Sequence, residues 1–228
     1  MKVVIFGATG MLGSGALIEC LEHPQVTEVL AVGRRPTGLG HAKLEELVHG
    51  DFLDFMPVAD RFAGCDACLY CLGISSVGLD EDAYRRITVD MTVAAAKALL
   101  HASPSMSFCF VSGAGTDATE QGRTMWARVK GEAENGVSEM PFRAVWLFRP
   151  GYVQPVKGVR SQTALYNAAY TAVGWLYPVL RRVAPRSVTT TENVGLALIR
   201  AAREGAPVRI LENADINELA AAERSALT

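Results

Sequence analysis

The sequence predicts a doubly wound α/β fold, one parallel sheet with helices on both faces. Three observations predict it. Apolar runs of strand length alternate with segments of helix length along the chain. The first run, KVVIF (2–6), leads directly into the turn Gly7-Ala8-Thr9-Gly10-Met11-Leu12-Gly13 and then into a helical stretch. A later run, DACLYCLG (66–73), reads as a buried strand, as both-faced burial in a parallel sheet requires.

The elements follow in order. After 2–6 comes a helix from about 11 to 22, then EVLAVG (28–33), a short run at 44–48, and ACLYCL (67–72). A long helix is expected over 80–101, its start DEDAY offering acids to the positive end of the helix dipole. MSFCFVS (106–112), a helix over 119–138 and FRAVWLF (142–148) complete the alternation. Right-handed crossovers then bring the strand C-termini to one edge, where a ligand binds. The whole chain, 1–228, reads as one domain, with 151–228 as a portion covering that edge. This portion carries a helix rich in Tyr and Trp, a helix start at TTTENVG (189–195) and a late strand VRIL (208–211).

Composition narrows the function. The 228 residues are half hydrophobic and one-fifth charged, with 22 basic against 24 acidic side chains and a net charge of −2. Such a balance excludes a general polyanion binder, so nucleic acid is not expected as a partner. No signal-peptide stretch precedes the first glycines, and the apolar segment 163–180 is broken by Asn167, Thr171, Gly174 and Pro178. No membrane association is expected, and a cytoplasmic location is. Cys65, Cys68 and Cys71 have the spacing of an iron–sulfur site, but strand alternation would put 65 and 71 on one face and 68 on the other. They read as small buried hydrophobes, and no metal site is expected.

The glycine turn between first strand and first helix suits a pyrophosphate. Glycine allows the tight turn and close backbone approach, and the helix N-terminus supplies free N–H groups. Gly33-Arg34-Arg35-Pro36 ends the second strand, about 20 residues beyond that turn, where the adenosine ribose is held. Guanidinium groups grip a 2′-phosphate bidentately, so NADP(H) is expected in preference to NAD(H). Asp51, at the end of the third strand, stands either as an adenine acceptor or as an ordinary loop acid.

GATGMLG, GRR, GD, CLG, VSGAG and RPG, each at the end of successive strands, resemble the short-chain dehydrogenase/reductase superfamily in its atypical or extended form. CLG, VSGAGTD, RVKGEAE, LFRPGYVQP and RILENADI look closest to its Tat-interacting-protein-like branch. The resemblance implies a Rossmann sheet binding NAD(P)(H), with Gly7, Thr9, Gly10 and Met11 along the pyrophosphate and Gly13 in the same loop. It implies Arg34 and Arg35 at the adenosine ribose and Asp51 and Phe52 beside the adenine. Cys71, Leu72 and Gly73 would run beneath the nicotinamide ribose, and Pro150, Gly151 and Val153 would border the nicotinamide.

In active members of that superfamily a serine, a tyrosine and a lysine carry the chemistry. Ser112 and Lys130 match the serine and lysine, and both would also touch cofactor; Trp126 stands at the tyrosine position. An indole N–H donates a hydrogen bond but does not ionise usefully near neutrality, so the usual acid is lost. Tyr152, Tyr166 and Tyr170 are the alternative proton donors, together with a relay through Lys130. Three readings follow: a reductase of a small carbonyl or quinone compound, a weak or inactive NADP(H)-dependent regulatory protein with a protein partner, or a vestigial active edge with Trp126 packed as core. Aromatic residues in 162–180 suit a core, a substrate wall or a subunit contact, and the chain is expected as monomer or homodimer.

Overall fold

The computed structural model describes residues 1–159, 182 and 186–227. The strands are β1 (Lys2–Phe6), β2 (Glu28–Gly33), β3 (Leu44–Val48), β4 (Ala67–Tyr70), β5 (Ser107–Val111), β6 (Ala144–Arg149), β7 (Tyr152–Gln154), β8 (Val188–Thr190) and β9 (Ile210–Glu212). The helices are α1 (Met11–Glu22), α2 (Glu81–Arg85), α3 (Met91–Ala102), α4 (Met125–Ser138), α5 (Thr191–Glu204) and α6 (Asn213–Ala226). The main sheet has seven strands in the order β3-β2-β1-β4-β5-β6-β9, each pair parallel. The order reverses between β1 and β4, leaving at their C-terminal ends the crevice where such sheets bind ligands. The Rossmann expectation is met.

Strand alternation sorts the core into two layers. Val4, Phe6, Cys68, Tyr70, Phe108 and Phe110 face the layer with α3 and α4, where Phe52, Phe55 and Phe62 join them. Phe6 meets Phe55 edge to face with ring centroids 5.3 Å apart, a favoured aromatic geometry. Val3, Ile5, Ala67, Leu69, Cys109 and Val111 face the opposite layer, built with small and aliphatic residues of α1, α5 and α6. Burial of both faces explains why these strands read as continuous apolar runs.

Four expectations change. The 80–101 helix is α2 and α3 joined by a π turn, Arg86–Asp90, with the Asp80 carboxylate accepting the Ala83 N–H at 2.8 Å. The 119–138 helix begins only at Met125. The Asp117 carboxylate accepts from Thr119 N–H and O–H and from Gly122 N–H, which holds 117–122 in a turn that competes with helix. Cys65 lies before β4, outside the reach of strand alternation, and shares a core layer with Cys68 while Cys71 packs on the other layer. Finally, β9 extends the sheet beside β6, and α5 and α6 form its second helical layer. Those parts of 151–228 therefore build the sandwich instead of covering its edge. Residues 163–180, with Tyr166, Tyr170, Trp175 and Tyr177, lie outside the described residues. Among the described residues no helix is long and apolar enough to cross a membrane.

Candidate functional site

The glycine turn lies at the crevice, and two of its glycines are dictated by space. Gly7 has φ of 78°, and a β-carbon there would stand 2.8 Å from the Cys71 carbonyl and the Leu72 Cα. The β4 end thus passes directly against the turn. A side chain at Gly13 would collide with the Gly7 carbonyl, so α1 starts as close to β1 as backbone allows. Gly10 caps α1 without a side chain, and the first turn of the helix holds no acid. Thr9, Gly10 and Met11 are partly exposed there. The arrangement leaves a helix N-terminus open to an anion.

Beside the turn runs a groove of about 600 Å³, lined by Ala8, Thr9, Ser14, Ile18, Arg35, Pro36, Thr37, Leu39 and the 157–159 loop. Arg34 and Arg35 are exposed, and among the described residues neither guanidinium has an ion pair. Glu46 on β3 accepts the Thr37 N–H at 2.5 Å and so ties the basic loop to the sheet. Lys157, across the groove, is held by Glu19 at 2.8 Å and Glu22 at 2.7 Å, both on α1. Sequence reading missed Glu46 and Lys157, and the partners of Lys157 are distant in the chain.

Asp51 and Phe52 do not line this groove. The Asp51 carboxylate accepts the Leu53 N–H at 2.9 Å. The Phe52 ring is buried against Phe55, 5.2 Å between centroids, and serves the core. Val153 is likewise buried in the layer of α5 and α6. Gly73 is exposed just past β4. Pro150 accepts the Ala114 N–H at 2.9 Å and Gly151 donates to the Asn213 side chain at 3.0 Å, which pins the loops after β5 and β6 together.

At the end of β5 the side chains are engaged with one another. The Ser112 hydroxyl donates to Glu134 Oε1 at 2.5 Å and lies 3.2 Å from the Phe148 carbonyl. Glu134, only 1% exposed, is held by Arg149 at both oxygens, 3.0 and 2.5 Å away. Lys130, one turn before Glu134 on α4, donates from Nζ to the Ser112 carbonyl at 2.7 Å. Burial pushes the Lys130 ammonium down to about 8, and the Glu134 charge works against that shift. Trp126 is partly buried on the α3–α4 layer, its six-membered ring over Gly115. The Tyr152 hydroxyl donates to Gln154 Oε1 at 2.8 Å. Ser112 and Lys130 are thus joined by a hydrogen bond, while Ser112 gives its proton inward. Glu134 and Arg149 were missed. The i, i+4 spacing of Lys130 and Glu134 was the available signal.

Gly131 completes this end. A β-carbon there would collide with the Asp117 carbonyl, so the loop after β5 lies directly on α4.

Fold, glycine turn and crevice together define a dinucleotide-binding protein of the Rossmann class. Residues 3–123 match the NAD dependent epimerase/dehydratase family, to which the chain belongs. That match ends before α4. The chain is 30% identical over 153 residues to Protein HTATIP2 of Rattus norvegicus, covering 66% of this chain and 62% of that one. It is 26% identical over 165 residues to the mitochondrial protein fmp52 of Emericella nidulans, covering 67% and 66%. The matched part is thus less than two thirds of either relative's length. Among solved structures, the Bordetella bronchiseptica enzyme WbmG in complex with NAD superposes with a TM-score of 0.67 at 16% identity, covering 100% of this chain and 78% of that one. A short-chain dehydrogenase/reductase superfamily protein from Agrobacterium tumefaciens with bound NAD gives 0.64 at 15% identity, covering 96% and 81%.

Proposed function

We propose that the chain is an NADP(H)-binding oxidoreductase of the short-chain dehydrogenase/reductase type that reduces a small carbonyl or quinone compound. The observation that carries this reading is the pair Arg34 and Arg35, exposed and without ion pairs among the described residues, beside the groove that continues the glycine turn. The glycine cradle fits a pyrophosphate, since backbone alone occupies the space at Gly7 and Gly13. WbmG and the Agrobacterium protein were solved with NAD, and family membership supports a nicotinamide cofactor. The arginines extend that to a 2′-phosphate. When bound, the reduced cofactor supplies a hydride. This chain's part is to orient it with the turn, hold its ribose near Lys130 and deliver a proton to the substrate oxygen.

A second reading is favoured by Trp126 and Ser112. An indole at the usual acid position and a serine turned inward suit a protein that binds NADP(H) and presents its bound shape to a protein partner. A screen of NADPH oxidation against aldehydes, ketones and quinones, with Trp126→Tyr alongside, separates the two. Turnover by the wild-type chain on any of them supports the reductase. Inertness on all, with cofactor-dependent capture of a partner, supports the regulator.

A further inference from the structure

We propose that Glu134 is a positioning residue that takes the Ser112 hydroxyl out of the reaction and leaves Lys130 as the group that protonates the substrate oxygen. The inference rests on the reductase reading and assigns that site its acid.

The Ser112 hydroxyl has one proton, and it goes to a buried carboxylate 2.5 Å away rather than toward the crevice. A hydrogen bond to an ionised acceptor is about twice as strong as a neutral one. Turning the hydroxyl outward would also take from Glu134 Oε1 the shorter of its two hydrogen bonds, leaving only Arg149 Nε on it in a site 1% exposed. Arg149 holds both oxygens of that carboxylate, so it does not rotate to follow substrate. Lys130 differs. Its ammonium has three N–H groups, and among the described residues one is used, on the Ser112 carbonyl. Two remain at the C-terminal edge of β5.

The alternatives are poorer. The Trp126 indole has no proton to give near neutrality. The Tyr152 hydroxyl is bonded to Gln154 beside it on β7. A lysine shifted toward neutral pH by burial transfers a proton more readily than an exposed one, and the shift to about 8 agrees with the geometry. Glu134, from the same helix, is the charged group that opposes the shift.

The step balances. As hydride reaches the carbonyl carbon, the C=O π bond breaks and a C–H bond forms. The oxygen takes a proton from Lys130 Nζ, giving the alcohol, while the cofactor is oxidised. The neutral amine regains its proton from water.

The test joins a titration with kinetics. The lysines are reductively methylated with a 13C label in cofactor-free protein, and the Lys130 signal is identified by its loss in Lys130→Arg. We expect its midpoint near 8 in the wild-type chain. In Glu134→Gln, which keeps shape and an acceptor for Ser112, we expect it lower by about one unit. The alkaline limb of kcat should move down by the same amount. Lys130→Met should lose ~10²–10⁴ in kcat, and Ser112→Ala less than about tenfold. An unmoved Lys130 midpoint in Glu134→Gln, or a loss with Ser112→Ala as large as with Lys130→Met, overturns the proposal. The titration needs no cofactor, so a failure of NADPH to bind is read separately, as failure of the reductase reading.

Discussion

The two ends of the crevice are built in opposite ways. At the glycine-turn end, backbone does the shaping: glycines at 7 and 13 leave no room for side chains, and the nearby cations Arg34 and Arg35 remain unpaired among the described residues. At the β5 end, side chains do it. Ser112, Glu134 and Arg149 satisfy one another, and Lys130 is tied to the Ser112 carbonyl by one of its three N–H groups. An end with uncommitted charge is suited to capture an anion, and an end with committed charge is suited to hold a geometry. The contrast implies that substitutions at the first end change affinity, and those at the second change stability and proton transfer.

The largest effect should come from breaking the closed end. Arg149→Met leaves Glu134 buried without its cation and should destabilise the fold by about 3–5 kcal/mol, read from urea unfolding. Next is the open end: Gly13→Ala forces a β-carbon onto the Gly7 carbonyl and should weaken NADPH binding by about 100-fold or more, roughly 3 kcal/mol. Replacing Arg34 and Arg35 together by Ala should cost NADPH about 10–100-fold while NADH binding barely moves, measured by fluorescence titration. Equal losses for both cofactors would remove the 2′-phosphate role.

The smallest effect uses a second closed network as a control. His23 is buried against Glu223, 2.9 Å away, and Glu223 also pairs with Arg200 and Arg203. Burial holds the folded His23 pKa below its ordinary value of 6.5, with the Glu223 hydrogen bond opposing. The unfolded chain therefore binds the extra proton first, so this contribution to stability is complete above about 6.5 and is lost as pH falls through it. His23→Gln should flatten that acid limb of the stability profile and leave cofactor affinity unchanged.

The sequence makes the open end far more legible than the closed one. Glycine turns and strand-end motifs are local signals, and strands buried on both faces announce themselves as apolar runs. Six of the strands in the main sheet and the position of Arg34 and Arg35 follow from these, and VRIL (208–211) anticipates the seventh strand, β9. The start of α4 was not legible, because one carboxylate, Asp117, captures three donors and delays the helix. Nor was the inward turn of Ser112, since Glu134 and Arg149 lie 22 and 37 positions further along and meet only through the fold. Phe52 misled for the same reason: its motif lies at the sheet edge, but the ring enters the aromatic core.

The central claim is an NADP(H) site formed by the glycine turn and the basic loop beside it. Titration of the wild-type chain with NADPH and with NADH by calorimetry tests it most directly. The account predicts saturable binding of NADPH, tighter than that of NADH by about tenfold or more. No heat with either cofactor, or NADH the tighter of the two, would contradict it.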